Sequence, residues 1–136
     1  MMPGFRRFRR VLGPLLVVGL LAGCATPPVR SGADGSIEGR YQVTGTASDG
    51  RSYSGVLLVE AEDDGYRLEW VVTEAVLEGR GDLVGDRLEA EWRTVRGIDP
   101  SLHGTVVYVV GDDGTLRGER IVAGGDVFVE TAVRVE

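Results

Sequence analysis

The sequence predicts an all-β protein, an antiparallel meander of about eight strands that closes into a small barrel. Short β-prone runs recur from residue 38 to the end of the chain, Gly and Asp separate most of them, and apolar and charged residues alternate within several. Helix signals are absent from this part of the sequence. A β-sandwich built from the same strands is the alternative architecture.

Eight runs account for the predicted strands. They cover residues 39–46, 53–62, 66–72, 75–83, 87–94, 104–110, 115–122 and 127–135. Most of the turns between them contain an Asp-Gly or Gly-Asp pair, such as Asp113-Gly114. Tight hairpins need positive φ, which glycine accepts freely and aspartate tolerates. A strand with its turn takes about 12 residues, a spacing typical of a meander.

Alternation within the runs indicates which side chains face inward. In YRLEWV, Leu68 and Trp70 lie on one face and charged residues on the other, and RLEAEWR places Leu88 and Trp92 in the same way. One face of such strands is buried and the other meets water. The last run alternates between two faces of a strand. One face carries Val127, Val129, Thr131, Val133 and Val135, and the other carries Phe128, Glu130, Ala132 and Arg134.

Two further features refine the barrel prediction. Glycines inside the runs, where they mark bulges or sharp coiling that a small barrel needs, are Gly55, Gly79, Gly81 and Gly118. The segments GVLLVEA and TVVYVV are apolar on both faces. Part of the outer surface is therefore predicted to be covered or adhesive.

The start of the chain has the features of a secretory signal. Residues 1–10 carry four arginines and no acid, residues 11–21 are mostly apolar, and the small residues Ala22 and Gly23 precede the only cysteine, Cys24. The apolar run is about half of the ~20 residues that a transmembrane helix needs.

Leu21-Ala22-Gly23-Cys24 resembles the lipobox of bacterial lipoproteins. The resemblance implies diacylglycerol on the Cys24 thiol, cleavage just before Cys24 and acylation of the new amino group. Two or more acyl chains hold a protein stably on a membrane. Ala25 stands where an aspartate favours the inner membrane in that family, which implies the outer membrane of a double-membrane bacterium.

The predicted organisation has three parts. Residues 1–23 form the signal peptide, residues 24–37 form the lipidated cysteine with a flexible tether rich in Pro, Gly, Ala and Ser, and residues 38–136 form the barrel domain.

Composition excludes several function classes. The chain has no lysine, which rules out a Schiff-base lysine and the lysine of a phosphate-binding loop. Four of the 15 basic residues would leave with the signal peptide while all 21 acidic residues remain, so no nucleic-acid partner is expected. No cofactor is predicted.

Few residues suggest catalysis or metal binding. Asp99, Ser101 and His103 lie together in one connection, but residues so close in a loop rarely align as a hydrolytic triad. The acidic pairs 63–64 and 112–113 lack the spaced oxygens of a calcium loop, and hairpin formation already explains them. We therefore expect neither an enzyme nor a metal site.

Gly39-Arg40-Tyr41 at the first strand and Arg134 in the last resemble the opening and closing residues of lipocalin and avidin barrels. In those families the opening motif is G-x-W, and an arginine of the final strand packs on the tryptophan. Here Tyr41 takes the place of the tryptophan. The resemblance implies a closed eight-stranded barrel with Arg134 packed on Tyr41.

The aromatic residues predicted to face a cavity are Trp70, Trp92, Tyr41 and Tyr108. An eight-stranded barrel is just wide enough to be filled by its own side chains or to hold one small ligand. We expect a non-enzymatic, lipid-anchored envelope protein that carries a small apolar ligand. The alternative is an envelope protein-interaction or inhibitor module with a filled barrel.

Overall fold

The computed structural model describes residues 36–135, which form a closed barrel of eight antiparallel strands. The strands are β1 (Gly39–Ala47), β2 (Ser52–Glu62), β3 (Gly65–Val72), β4 (Ala75–Val84), β5 (Arg87–Gly97), β6 (His103–Val110), β7 (Leu116–Val122) and β8 (Val127–Val135). Each strand pairs with the next, and β8 pairs with β1. The all-β meander and its closure into a barrel are thus confirmed, and the sandwich alternative is wrong. The signal peptide, Cys24 and most of the tether lie outside the described residues.

The hairpin turns follow the predicted chemistry with one exception. Gly85 and Gly114 have φ of 64° and 75°, the conformation for which Asp-Gly and Gly-Asp turns are suited. The β3–β4 turn has no glycine and instead places Glu74 at φ 62°. A non-glycine residue in this region is uncommon.

Glycines inside the strands allow neighbouring strands to approach closely. A Cβ atom on Gly118 would collide with the carbonyl oxygen of Val107, and one on Gly104 with that of Ile121. A register shift between Val76 and Leu77 marks a bulge in the β4–β5 pair. These features give the coiling that a small closed barrel requires.

The barrel interior is divided along its axis into two halves. The lower end is the one at which β1 begins, and there Ile37 of the segment before β1 is buried in the hydrophobic core. The lower half of the interior contains mainly apolar side chains, Val59, Leu68, Leu88, Leu116 and Ala132. The upper half contains Tyr53, Trp70, Trp92, Arg120 and Glu130.

In β8 the buried face is the one that carries the acid. Glu130 and Ala132 point inward and are fully buried, whereas Val129 and Val133 are 62% and 50% exposed on the outer surface. Hydrophobic alternation alone would favour the reverse orientation. Closure of β8 onto β1, in which Glu130 pairs with Gly45, fixes the observed one.

Within residues 36–135 no helix is long and apolar enough to cross a membrane.

Candidate functional site

All four aromatic residues predicted to face a cavity point into the barrel. Trp70, Tyr41 and Tyr108 are fully buried, and Trp92 is nearly so. The structure brings Trp70, Trp92 and Tyr108 together around a buried ion pair, and places Tyr41 apart from them at the lower end.

Tyr41 and Arg134 close the lower end together with the segment before β1. The Tyr41 hydroxyl donates to the Ile37 carbonyl at 2.7 Å. The Arg134 guanidinium carbon lies 5.2 Å from the centre of the Tyr41 ring, and its nitrogens donate to the carbonyls of Ser36 and Glu38. The packing implied by the resemblance to lipocalin and avidin barrels is thus confirmed. Burial raises the pKa of Tyr41, and the neighbouring Arg134 opposes that shift.

A buried ion pair lies at the centre of the upper half. Arg120 of β7 and Glu130 of β8 are 2% and 0% exposed. Nε and Nη2 of Arg120 donate to the two carboxylate oxygens of Glu130 at 2.8 and 3.2 Å. This two-point geometry is the strong form of an arginine–carboxylate bond, and a buried pair needs it because both charges have left water.

Three aromatic side chains complete the coordination of Glu130. The hydroxyls of Tyr53 and Tyr108 donate to its carboxylate, and Nε1 of Trp70 donates to Oε1 at 3.1 Å. Together with the two bonds from Arg120, the carboxylate accepts five hydrogen bonds. Donors in this number satisfy the oxygens of a carboxylate that has no contact with solvent.

Aromatic rings also surround the guanidinium. The central carbon of Arg120 lies 4.5 Å from the ring centre of Trp70, 5.2 Å from that of Trp92 and 5.4 Å from that of Tyr53. These distances are in the range of cation–π attraction. Strands β3 and β7 stand opposite each other in the ring of eight. The contact of Trp70 with Arg120 therefore crosses the barrel axis and fills it at this level.

The electrostatics of the cluster hold Tyr53, Tyr108 and Arg120 each in one protonation state. Burial raises the pKa of Tyr53 and Tyr108 far above the usual range, and the charge on Glu130 adds to the shift. Burial alone disfavours a charged Arg120, but the attraction of Glu130 outweighs it and the pKa of Arg120 is raised. The tyrosines therefore remain neutral hydrogen-bond donors and the arginine remains a cation. Both kinds of group can bind a negatively charged group.

A cleft lies on the outside of the barrel. Its volume is about 720 Å³, and its floor is formed where Gly79, Trp92 and Gly104 pair across β4, β5 and β6. Its main polar side chains are Arg67, Glu78, Arg80, Glu91, Arg93 and His103. The cleft thus offers guanidinium and carboxylate groups in alternation on a rigid sheet.

The β5–β6 connection does not assemble a triad. The Ser101 hydroxyl donates to Asp99 at 2.6 Å, and Nδ1 of His103 faces the Ser101 carbonyl oxygen at 2.9 Å. Hydrogen bonds from Ser101 hold the pKa of the Asp99 carboxyl below its usual range. In this arrangement the serine is engaged by the carboxylate and the histidine does not contact its hydroxyl.

The acidic pairs lie in hairpin turns, as their sequence context predicts. Asp113 accepts a hydrogen bond from the backbone amide of Thr115 at 3.0 Å, which fixes the β6–β7 turn. No cluster of three or more metal-binding side chains occurs in the part of the chain that the structure describes.

Sequence reasoning missed Arg120 and Glu130, and the sequence carries no clear signal for either. Glu130 shares its face of β8 with Phe128 and Ala132, but the opposite face carries four valines and is the more apolar one. Arg117 and Glu119 precede Arg120, and the stretch has the composition of a solvated strand.

No protein-family model and no curated protein matches the chain. Among solved structures, a redesigned β-barrel shares the fold with a TM-score of 0.62 at 15% identity, over 74% of this chain and 92% of its own. A second redesigned β-barrel, bound to DFHBI, gives 0.60 at 15% identity over 72% and 94%. A de novo fluorescence-activating β-barrel gives 0.55 at 14% identity over 72% and 93%. At such identities the similarity shows a common fold alone, the lipocalin-like eight-stranded barrel.

Proposed function

We propose that this protein is a non-enzymatic binding module of the cell envelope, anchored through lipid on Cys24, that binds a protein partner on the outside of a packed barrel. The observation that carries the proposal is the Trp70–Arg120 contact, at 4.5 Å, between opposite strands. A cavity for a drug-sized ligand has a volume of at least about 300 Å³. The axis of this barrel is instead occupied by its own side chains.

The outer cleft supports a surface for binding. The side chains of Arg80 and Arg93 are 75% and 72% exposed there, and Arg80 is paired with Glu62 at 2.6 Å. Arg93 approaches Glu78 only to 3.5 Å, a contact that a partner's carboxylate can replace. Exposed ion pairs of this kind contribute little to stability, so the cleft can exchange them at small cost.

Site-specific photo-crosslinking in the producing cells tests the outer surface. A photoreactive phenylalanine at Thr105 lies in the cleft, and one at Arg117 lies on the outer face of β7 away from it. We expect a discrete crosslinked protein from position 105, lost when Arg80→Glu and Arg93→Glu are added. Arg87→Glu, an exposed change on β5 outside the cleft, is the matched control. Equal crosslinking from both positions, or none from position 105, would contradict the proposal.

The lipid anchor is tested by mass. The native protein should begin at Cys24 and carry acyl chains, and Cys24→Ser should leave it unprocessed or soluble. Intact-mass measurement of the membrane fraction distinguishes these outcomes. A native chain that begins upstream of residue 24 without acyl mass contradicts the anchor.

A carrier of a small apolar ligand is the second candidate. Solved barrels of the same fold bind DFHBI, and Trp70, Trp92, Tyr41 and Tyr108 are the aromatic residues that would contact a ligand inside. Titration with DFHBI and with an anilinonaphthalene dye, followed by tryptophan fluorescence, decides between the two. Saturable quenching that weakens in Trp92→Phe supports the carrier, and unchanged emission supports the packed module.

A further inference from the structure

The surroundings of Arg120 have the parts of a binding site for a planar cation. Glu130 offers both carboxylate oxygens to it, and the faces of Trp70, Trp92 and Tyr53 lie within 5.4 Å of its central carbon. A carboxylate fork and stacked aromatic rings are the two features that guanidinium recognition uses. Both are supplied by strands other than β7.

The walls of this site are held in place by bonds that do not involve Arg120. Trp70 donates to the Tyr108 hydroxyl at 3.1 Å, and Trp92 donates to the Thr105 carbonyl at 3.1 Å. Gly79 makes room for Trp70, because a Cβ there would lie 3.0 Å from its ring. The tyrosine hydroxyls bond Glu130 directly. The site should therefore keep its shape when the arginine side chain is removed.

We propose that the upper half of the barrel is a guanidinium-binding site that Arg120 occupies as an internal ligand, and that truncating Arg120 lets the site bind a free alkylguanidinium ion. In this proposal the upper interior is packed because the Arg120 side chain occupies the binding site. The inference concerns the interior and stands or falls independently of the proposed outer surface.

The site selects for charge, planarity and size together. An alkylammonium has the charge but cannot bond both carboxylate oxygens in one plane, and an alkylurea has the plane but no charge. Entry is from the upper end, where Tyr53 is only partly buried. The Phe128 ring packs against Tyr53 at a tilt of 57° with ring centres 5.3 Å apart, and the Arg51 guanidinium carbon lies 5.7 Å from the Phe128 ring centre. These exposed or half-buried groups are the ones that must move.

The test compares Arg120→Ala with the wild-type full chain in the presence of N-ethylguanidinium. A concentration of about 10 mM is far below the molar range in which guanidinium denatures proteins. We expect a saturable rise of about 4 °C or more in the Tm of Arg120→Ala, and no rise for the wild type. Ethylammonium and N-ethylurea should give less than about a tenth of the affinity in calorimetric titration.

The double variant Arg120→Ala/Glu130→Gln is the matched control, since it keeps the space and removes the carboxylate charge. It should not bind N-ethylguanidinium. If Arg120→Ala is unfolded alone, the readout is recovery of its β circular dichroism on addition of N-ethylguanidinium, and recovery supports the proposal. Failure to recover, absence of binding by a folded Arg120→Ala, or equal binding by the double variant would overturn it.

Discussion

The lower half of the barrel is filled mainly by aliphatic side chains, whereas the upper half packs around a buried ion pair. Leu68, Leu88 and Leu116 pack below with no polar partner to satisfy. Above them Glu130 accepts five hydrogen bonds, and aromatic rings enclose Arg120. One meander therefore contains two kinds of core, stacked along a single axis.

The difference shows what each half demands of its sequence. An aliphatic layer tolerates exchange between residues of similar volume, since only shape and apolar area matter. A partial change in a buried ionic cluster is costly in stability, because removing one member leaves its partner buried without a counterion. Sensitivity to mutation should thus follow volume in the lower half and the pairing of buried charges in the upper half.

The largest effect is expected from Glu130→Ala. It leaves the Arg120 guanidinium buried without its counterion, which should lower the free energy of unfolding by about 3–5 kcal/mol. Urea denaturation followed by circular dichroism measures the loss. Glu119→Ala, on the exposed face of β7, is the control and should change stability by less than about 0.5 kcal/mol.

A second variant sharpens this prediction. Replacing the pair together, as Arg120→Met/Glu130→Leu, removes both charges and keeps most of the volume. Such replacements are often neutral or stabilising, so the double variant should be more stable than Glu130→Ala. An additive loss in the double variant would mean that the cluster does not act as a unit.

The lower half is probed by Leu88→Ala, which should cost about 2–5 kcal/mol through lost burial and the cavity left behind. Leu88→Met keeps the volume and should cost less than about 1.5 kcal/mol. Both are measured by urea denaturation. If the methionine variant were as unstable as the alanine variant, the lower half would tolerate substitution no better than the upper half.

The fold was largely predictable from local signals. In strands such as β3 and β5, the alternation of apolar and charged residues predicts which face points inward, and aspartate–glycine pairs predict most turns. The β3–β4 turn contains no aspartate–glycine pair, and Glu74 adopts the positive φ there. Local sequence patterns thus predict the strands and their orientation well, provided that one face of a strand is clearly apolar.

The candidate site was predictable only in part. Trp70 and Trp92 were found because they alternate with charged neighbours. Arg120 and Glu130 were not found, because a charged residue in a strand indicates solvent unless its partner is known. That partner lies on the next strand, and only the register of the closed barrel turns both residues inward.

Alkaline pH should weaken the upper half. Burial holds Tyr53 and Tyr108 protonated in the folded protein, so their folded pKa is above the unfolded value of about 10. Their contribution is fully present below pH ~10 and is lost as the pH rises further, because only the unfolded chain releases the protons. Each tyrosine should remove about 1.4 kcal/mol per pH unit.

Urea denaturation between pH ~8 and ~11.5 measures this slope. Tyr53→Phe removes one of the three tyrosines whose pKa burial raises, the others being Tyr41 and Tyr108, so its stability should fall less steeply with pH, by about 1.4 kcal/mol per pH unit. A slope identical to that of the wild type would show that the Tyr53 hydroxyl is not held neutral by the cluster.

The smallest effect is expected at the lower end, from Arg134→Ala. Arg134 donates to the carbonyls of Ser36 and Glu38 and to the Tyr41 hydroxyl, and it stacks on the Tyr41 ring. These bonds are partly solvated, so their loss should cost about 1 kcal/mol.

The segment before β1 should respond more than the barrel itself, because Arg134 of β8 bonds two of its carbonyl groups. We therefore expect faster amide hydrogen exchange at residues 36–38 in Arg134→Ala, with the exchange of β3 to β6 unchanged. Arg117→Ala is the matched control, since Arg117 is an exposed arginine whose ion pair with Asp113 spans one hairpin turn. If Arg117→Ala had the same effect on residues 36–38, Arg134 would have no specific role in holding that segment. The lower end would then be closed by Ile37 alone.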